Sequence, residues 1–399
     1  MTRRQAITGV AIANGLGARS EAVFARAFAG EDGFRPASDF FAFPFETQLG
    51  IVEAPDERGG DFPACAGTRL ARVAFASSRQ LRPAAAEAAR RWGAERVACV
   101  FASSTGGLEQ SERALAPHPS LVAASYGGFT YADHSADAAC AALADDLGAR
   151  GPRVTVSTAC SSGLRALASA VRFIEQGLVD AAVVGSADSL CRTTVFGFHS
   201  LGLLAPVATR PFAQDRCGIT LAEGSAYVVI ERADDDSAGR ALGWLAGVGA
   251  SSDAHHATSP HPDGAGAERA MRDATGRAGI DGAALDAVFA HATGTRQNDA
   301  TEGAALLRVC GPSVPVTATK SLTGHTLGSS GLTGLVLAVE ALRRQEIPPS
   351  LRASPVDPDL GLKVVEAPTA ARLENILVNA FGFGGSNASA VVSIHHGGA

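Results

Sequence analysis

Few residue types in this chain are equipped for chemistry, and they sit in recognisable settings. Cys160 lies in "RVTVSTACSSGLRALASAVRFIEQG", where a β-branched run stops and a long helical pattern begins. A helix N-terminus presents free N–H groups and a partial positive charge, which favour a thiolate over a thiol. The Cys160 pKa is therefore expected to fall. Its neighbours Thr158, Ala159, Ser161, Ser162 and Gly163 are small. That composition suits a nucleophile approached by a bulky group, and equally a buried cysteine packed at a tight turn.

Two histidines occupy comparable corners. "FAHATGTRQNDATEG" places His291 just after a strand end, and "TATKSLTGHTLGSSG" places Lys320 and His325 in one Gly/Thr-rich turn. Histidines in such turns are acid–base or hydrogen-bond-donor candidates, though a lone one is commonly structural. The chain holds only two lysines, Lys320 and Lys363, against 34 Lys plus Arg. A lysine at 320 points to a site that wants a compact ammonium. "NILVNAFGFGGSNAS" closes the set: Gly382, Gly384 and Gly385 surround Phe383, and their backbone N–H groups suit an oxyanion hole or a plain tight turn. By contrast, "GSADSLC" imitates a carrier-protein serine motif, but Ser189 follows a strand in a large α/β unit.

The elements that must hold these residues alternate. β-Branched runs at 96–104, 153–160, 181–188 and 226–232 are separated by helical stretches, which implies an α/β fold with largely parallel, buried sheets. "SSGLRALASAVRFI" and "SSGLTGLVLAVEAL" repeat one strand–turn–glycine–helix order, so a whole layered unit is duplicated. Each copy would bury one helix, the two packing back to back between two sheets. A pseudo-twofold would then turn the Lys320–His325 turn toward Cys160 and gather cysteine and histidines in one pocket. The polar "ERADDDSAGR" at 231–240 reads as the connection, dividing the chain into 1–235, with Cys160, and 236–399, with His291, Lys320, His325 and the Phe383 loop.

Composition narrows the function classes. With 399 residues, 46% hydrophobic and 45 glycines, a large tightly packed core is expected. A net charge of −6 argues against a general nucleic-acid field. No segment reaches the ~18 apolar residues of a membrane span. "MTRRQAITGVAIANGLGA" reads as a first strand and an N-G turn in preference to a signal peptide, which places the protein in the cytoplasm. The seven cysteines are scattered, odd in number and never in C-x-x-C spacing, against zinc and against a disulfide framework.

Taken together, "RRQAITGVAIANGLG", "TACSSG", "RPFAQDRCGITLAEGSA", "HATGTRQNDATE", "KSLTGHTLGSSG" and "NAFGFGGSNAS" resemble, in this order, the elongating β-ketoacyl-acyl-carrier-protein synthases of the thiolase superfamily. The resemblance implies a duplicated five-layered α-β-α-β-α arrangement. It implies an acylated nucleophile at Cys160, a decarboxylating pair at His291 and His325, electrostatic support from Lys320, and Glu302 as a polar partner behind them. Phe383 would gate the site, with Phe381 nearby, and the N–H groups of Cys160 and Phe383 would form the oxyanion hole. Departures are Ala292 and Ala222 for glycine, Ser329 and Ser330 for alanine, and Ser386 for threonine; Ala292 is expected to narrow the pocket or stiffen its turn.

Relatives differ at the same residues. Degradative thiolases carry a cysteine in the C-terminal glycine loop, starter-type enzymes replace one histidine by asparagine, and chain-length-factor subunits lack the nucleophile. The resemblance therefore implies a catalytic synthase working on substrates carried by phosphopantetheine of an acyl carrier protein, with no metal or other cofactor. It also implies a dimer through a strand of the first half. Segment 188–219 is more similar to ketosynthases of type II aryl-polyene systems, which pair with a chain-length factor, than to housekeeping fatty-acid synthases. A non-catalytic partner subunit and a Cys–His hydrolase are the rival readings.

Overall fold

The computed structural model describes residues 4–53, 68–115 and 134–396. Cys65 and the first three residues of the N-terminal segment lie outside them.

Eleven strands form one mixed sheet. In chain order they are β1 (Gln5–Asn14), β2 (Val97–Ala102), β3 (Arg153–Val156), β4 (Ala181–Asp188), β5 (Gly224–Arg232), β6 (Gly243–Ser252), β7 (Ala287–Phe289), β8 (Pro315–Thr317), β9 (Lys363–Val364), β10 (Asn375–Gly382) and β11 (Ser386–Ser393). Their spatial order is β9-β8-β7-β10-β11-β6-β1-β5-β4-β2-β3. The first five run 3-2-4-5-1, and β6, β7, β8, β10 and β11 repeat that order around the opposite edge. The duplication seen in one helix motif thus extends to the strand order. Two expectations change. Only β2, β3 and β4, and β7, β8, β9 and β10, pair in parallel, while β5, β1, β6 and β11 are antiparallel to their neighbours. The two sheets are also one, because Gln5–Ile7 of β1 pair with Gly243–Leu245 of β6.

Strand alternation explains the layers. Along β2, Ala98, Val100 and Ala102 face the centre, while Val97, Cys99 and Phe101 face outward. Outward residues pack under α1 (Arg69–Ser78), α2 (Arg82–Trp92) and α3 (Ala136–Asp146). The second half buries its outer face under α5 (Ala265–Ala278) and α6 (Arg296–Cys310) through Met271, Leu306, Val288 and Leu377. Between the two halves of the sheet lie α4 (Ser162–Glu175) and α7 (Ser330–Arg344). α7 is buried from Ser330 to Leu342, which is why its sequence is apolar around most of its circumference. The result is the α-β-α-β-α thiolase-type fold.

The repeated "SSG" has a packing reason. A Cβ on Gly163 would come 3.1 Å from Gly328 O and from Leu332, and one on Gly331 would come 2.8 Å from Leu164. These glycines are where the two central helices touch. The polar 231–240 stretch differs from expectation at its start. Glu231 and Arg232 still belong to β5, and the connection is 233–242. Glu231 is fully buried, accepting from Trp92 Nε1 at 2.8 Å and from Arg240 at 3.1 Å. Among the described residues no helix is long and apolar enough to cross a membrane.

Candidate active site

Cys160 sits between β3 and α4, two residues before the helix starts. Ala159 takes φ +52°, a strained value for a residue with a Cβ, and turns the chain so that the thiol faces a cavity. The hydroxyls around it are tied to the turn. Ser162 Oγ donates to Ala159 O at 2.5 Å, Thr158 N donates to Ser162 Oγ at 2.8 Å, and Ser161 Oγ donates to Ser386 Oγ at 2.9 Å. The last bond joins the Cys160 turn to the C-terminal glycine loop. A Cβ on Gly382 would lie 2.9 Å from Thr158 O and 3.1 Å from Cys160 N, so glycine permits this approach.

The cavity is about 330 Å³, and Cys160, His291, His325, Phe381 and Phe383 line it together. The predicted cysteine and both histidines are thus brought to one place from three turns. Lys320 lies behind them, 5% exposed. Its Nζ donates to the His291 carbonyl oxygen and is 3.2 Å from His291 Nδ1.

The hydrogen bonds settle the histidine tautomers. An ammonium can only donate, so His291 Nδ1 accepts from Lys320 and its proton is on Nε2. Leu327 N–H donates to His325 Nδ1 at 3.0 Å, which puts that proton on Nε2 too. Burial, and the nearby Lys320 charge, hold both rings well below the usual histidine range, so both are neutral N–H donors at neutral pH. The rings lie 5.5 Å apart at 89°. Phe381 packs against His291 at 5.8 Å.

Glu302 stands where the sequence expects a supporting carboxylate. It accepts from His291 N at 2.8 Å, from Ala292 N at 2.7 Å and from Asn379 Nδ2 at 3.1 Å. It therefore holds the backbone of the histidine turn. Ala292 there is fully buried with φ +35°, a conformation strained for a residue with a Cβ, and its N–H is held by Glu302. Burial pushes the Glu302 carboxyl up, opposed by its N–H donors and Lys320, and burial pulls Lys320 down to about 8. Ala222, the other alanine-for-glycine change, meets two glycines: a Cβ on Gly50 or Gly324 would come within 2.8 or 2.7 Å of its own.

One electrostatic expectation is overturned. Burial pushes the Cys160 thiol up to about 11, although Lys320 and the N–H groups of Phe383 and Cys160 itself pull the other way. The N–H groups lower this pKa less than the loss of hydration of the buried sulfur raises it. The resting group is the neutral thiol. Phe383 stacks on Phe198 at 5.7 Å and 23°, half-buried at the cavity wall.

Sequence reasoning missed Asp188. It ends β4, is fully buried, and accepts hydrogen bonds from both halves of the site. The signal was an aspartate directly closing a largely apolar strand, where a charge survives only with partners. It also missed Asp299, buried on α6, which accepts from Phe212 N at 2.9 Å and Gly294 N at 3.2 Å.

Comparison with known proteins matches these features. Family models for the β-ketoacyl synthase N-terminal and C-terminal domains match residues 68–236 and 242–354. Nodulation protein E of Rhizobium meliloti is 31% identical over 97% of this chain and 98% of its own. A 3-oxoacyl-[acyl-carrier-protein] synthase 2 of Vibrio cholerae is 35% identical over 61% of this chain and 63% of its own. Among solved structures, the ketosynthase ApeO in complex with its chain length factor ApeC from Xenorhabdus doucetiae superposes with a TM-score of 0.90 at 32% identity, covering 98% of each chain. The ishigamide ketosynthase/chain length factor superposes with a TM-score of 0.89 at 29% identity, over 99% of this chain and 100% of the other.

Proposed function

The chain belongs to the β-ketoacyl synthase family, and from that premise we propose that it is the catalytic ketosynthase subunit of a type II system, condensing malonyl-carrier with an acyl chain held on Cys160. The observation that carries this reading is a cysteine and two Nε2–H histidines lining one cavity. The division of the chain at 235/236 into two thiolase-like halves belongs to the same proposal, and the repeated strand order supports it.

The reaction divides into two transfers. In the first, the Cys160 sulfur attacks the carrier-bound acyl thioester. The N–H groups of Cys160 and Phe383 stabilise the tetrahedral oxyanion. The bond to the carrier thiol breaks, and the Cys160 proton ends on that leaving thiolate. The thiolate is the attacking species, so the thiol gives up its proton as the bond to carbon forms, and the same proton neutralises the departing carrier sulfur, leaving no net change in protons. In the second, the malonyl C–C bond breaks, carbon dioxide leaves, and the electron pair moves onto the thioester oxygen as an enolate. His291 and His325 donate from Nε2 to that oxygen, and the Lys320 charge supports them. The enolate carbon attacks the acyl-Cys160 carbonyl, the C–S bond breaks, and the released Cys160 sulfur takes a proton from water. The chain is two carbons longer. Both steps run on thioesters of phosphopantetheine and call on no metal or redox group.

A Cys–His hydrolase fits poorly, because each histidine presents N–H to the cavity and its acceptor nitrogen is already engaged. The partners are an acyl carrier protein and a chain-length-factor subunit, and the setting is the cytoplasm. The matches to ApeO with ApeC and to the ishigamide ketosynthase/chain length factor, each across almost the whole chain, favour a heterodimer with a chain-length factor, and the polyene chain rests on the resemblance of segment 188–219. Fatty-acid elongation is the second reading, favoured by the 3-oxoacyl synthase 2 relatives.

The test incubates the purified chain, alone and with a co-expressed cysteine-less partner, with malonyl-carrier and either saturated or conjugated dienoyl carriers of equal length. A β-ketoacyl product with faster transfer of the dienoyl chain supports the proposal. Faster transfer of the saturated chain in both preparations leaves a fatty-acid synthase, and free acid or no product overturns the condensing activity.

A further inference from the structure

Neither transfer uses Asp188, a buried carboxylate that accepts hydrogen bonds from the loop after β2 in the first half and from Gly328 in the histidine turn of the second. Asp188 Oδ1 accepts from Ser103 Oγ at 2.7 Å, Ser104 N at 2.9 Å, Thr105 N at 2.8 Å and Thr105 Oγ1 at 2.7 Å. Its Oδ2 accepts from Ser104 Oγ at 3.1 Å and from Gly328 N at 2.7 Å. Ser104 N is also 3.2 Å from Oδ2. Three backbone N–H groups and three hydroxyls surround it. Burial pushes the Asp188 pKa up, while the hydrogen bonds, above all from three backbone N–H groups that can only donate, oppose this and favour the carboxylate.

The chain segment gripped by Oδ2 is the one that orients His325. Leu327, just before Gly328, has φ +51°, and its N–H is the donor to His325 Nδ1. A Cβ at 328 would come 2.8 Å from Asp188 Oδ2, so the close grip needs glycine. Ser329 Oγ, bonded to Ser186 Oγ at 3.0 Å, anchors the other side of the turn to the same strand, β4. The histidine turn of the second half is thus fastened to the end of a strand of the first.

We propose that Asp188 is a positioning residue: by holding Gly328 N–H it keeps Leu327 N–H on His325 Nδ1, and so keeps His325 in the tautomer that donates from Nε2. The inference rests on the role given to His325 above. It does not require Asp188 to touch substrate.

Asp188→Asn is the sharpest test. Its amide oxygen can serve the four Oδ1 donors, but the amide nitrogen then faces Gly328 N–H, donor against donor. In Asp188→Asn, malonyl-carrier decarboxylation is expected to lose about 10- to 100-fold in kcat, less than the roughly 10²–10³ of losing a donor outright. KM should stay within about twofold, and acylation of Cys160 within about threefold. With ¹⁵N-labelled histidine, His325 should change from one tautomer to a mixture. Ser103→Ala removes a donor only from Oδ1 and should leave decarboxylation within about twofold. Decarboxylation within twofold in Asp188→Asn, equal losses of acylation and decarboxylation, or an unchanged His325 tautomer would each overturn the proposal. Should Asp188→Asn fail to fold, Ser104→Ala takes its place: it removes a contact of Oδ2 and the second acceptor of Gly328 N–H, and should shift the same tautomer with a three- to tenfold loss. No shift and no loss there would equally overturn it. If the parent enzyme releases no carbon dioxide from malonyl-carrier, the proposed function fails, and the His325 tautomer still decides the role of Asp188.

Discussion

Replacing Lys320 by methionine should separate stability from catalysis. The ammonium is 5% exposed, and its pKa falls from 10.5 to about 8. Holding that charge at pH 7 costs the folded state about 3 kcal/mol. Against this stand its hydrogen bonds to His291, each contributing about 1.5–3 kcal/mol for a charged donor. Methionine of similar length removes both sides of the balance. Glu302 keeps three donors in the variant, so it is not stranded. The net change in stability should lie within about 2 kcal/mol of zero. Catalysis has no such compensation: His291 loses the donor that fixes its proton on Nε2, and decarboxylation should fall about 10²–10³-fold. The pH dependence gives a second check. Below pH 8 both folded and unfolded lysine are charged and the penalty is complete. Between 8 and 10.5 the unfolded chain binds more protons, so stability rises with pH. The parent should therefore gain about 3 kcal/mol relative to Lys320→Met across that interval. Urea unfolding from pH 7 to 10.5 and carbon dioxide release from malonyl-carrier measure both. A loss of more than 4 kcal/mol at pH 7, or decarboxylation within threefold of the parent, would refute the reasoning.

Three further outcomes are expected. Cys160→Ala should abolish chain transfer yet still decarboxylate malonyl-carrier, read by intact-protein mass and carbon dioxide release; equal loss of both would contradict the division of roles. His291→Ala and His325→Ala should still be acylated on Cys160 while condensation falls about 10²–10³-fold; a variant that cannot be acylated would make that histidine the base for the thiol. Gly382→Ala should place a methyl 2.9 Å from Thr158 O and 3.1 Å from Cys160 N, cost about 1–3 kcal/mol as the glycine loop moves away, and slow acylation more than decarboxylation; unchanged single-turnover acylation would show that the loop approach does not matter.

What the sequence determined by itself was local. The strand–turn–helix corners of Cys160, His291 and His325, the duplicated helix motif and the layered class follow from short-range patterns, because buried strands and helices write their periods into neighbouring residues. The site residues were legible because cysteine, histidine and lysine in glycine-rich turns are rare in this chain. The joining of two sheets through β1 and β6 was not legible: three residue pairs between positions about 240 apart leave no local mark. The Cys160 pKa went the opposite way for a related reason. A helix terminus can be read from sequence, but the burial that outweighs it comes from a pocket whose walls are drawn from both halves, Phe198 and Ile219 from the first and His291, His325 and Phe381 from the second. Asp188 shows the same limit. Its position at a strand end is in the sequence, but its six donors come from the loop after β2 and from Gly328, and only the packed core brings them to one carboxylate.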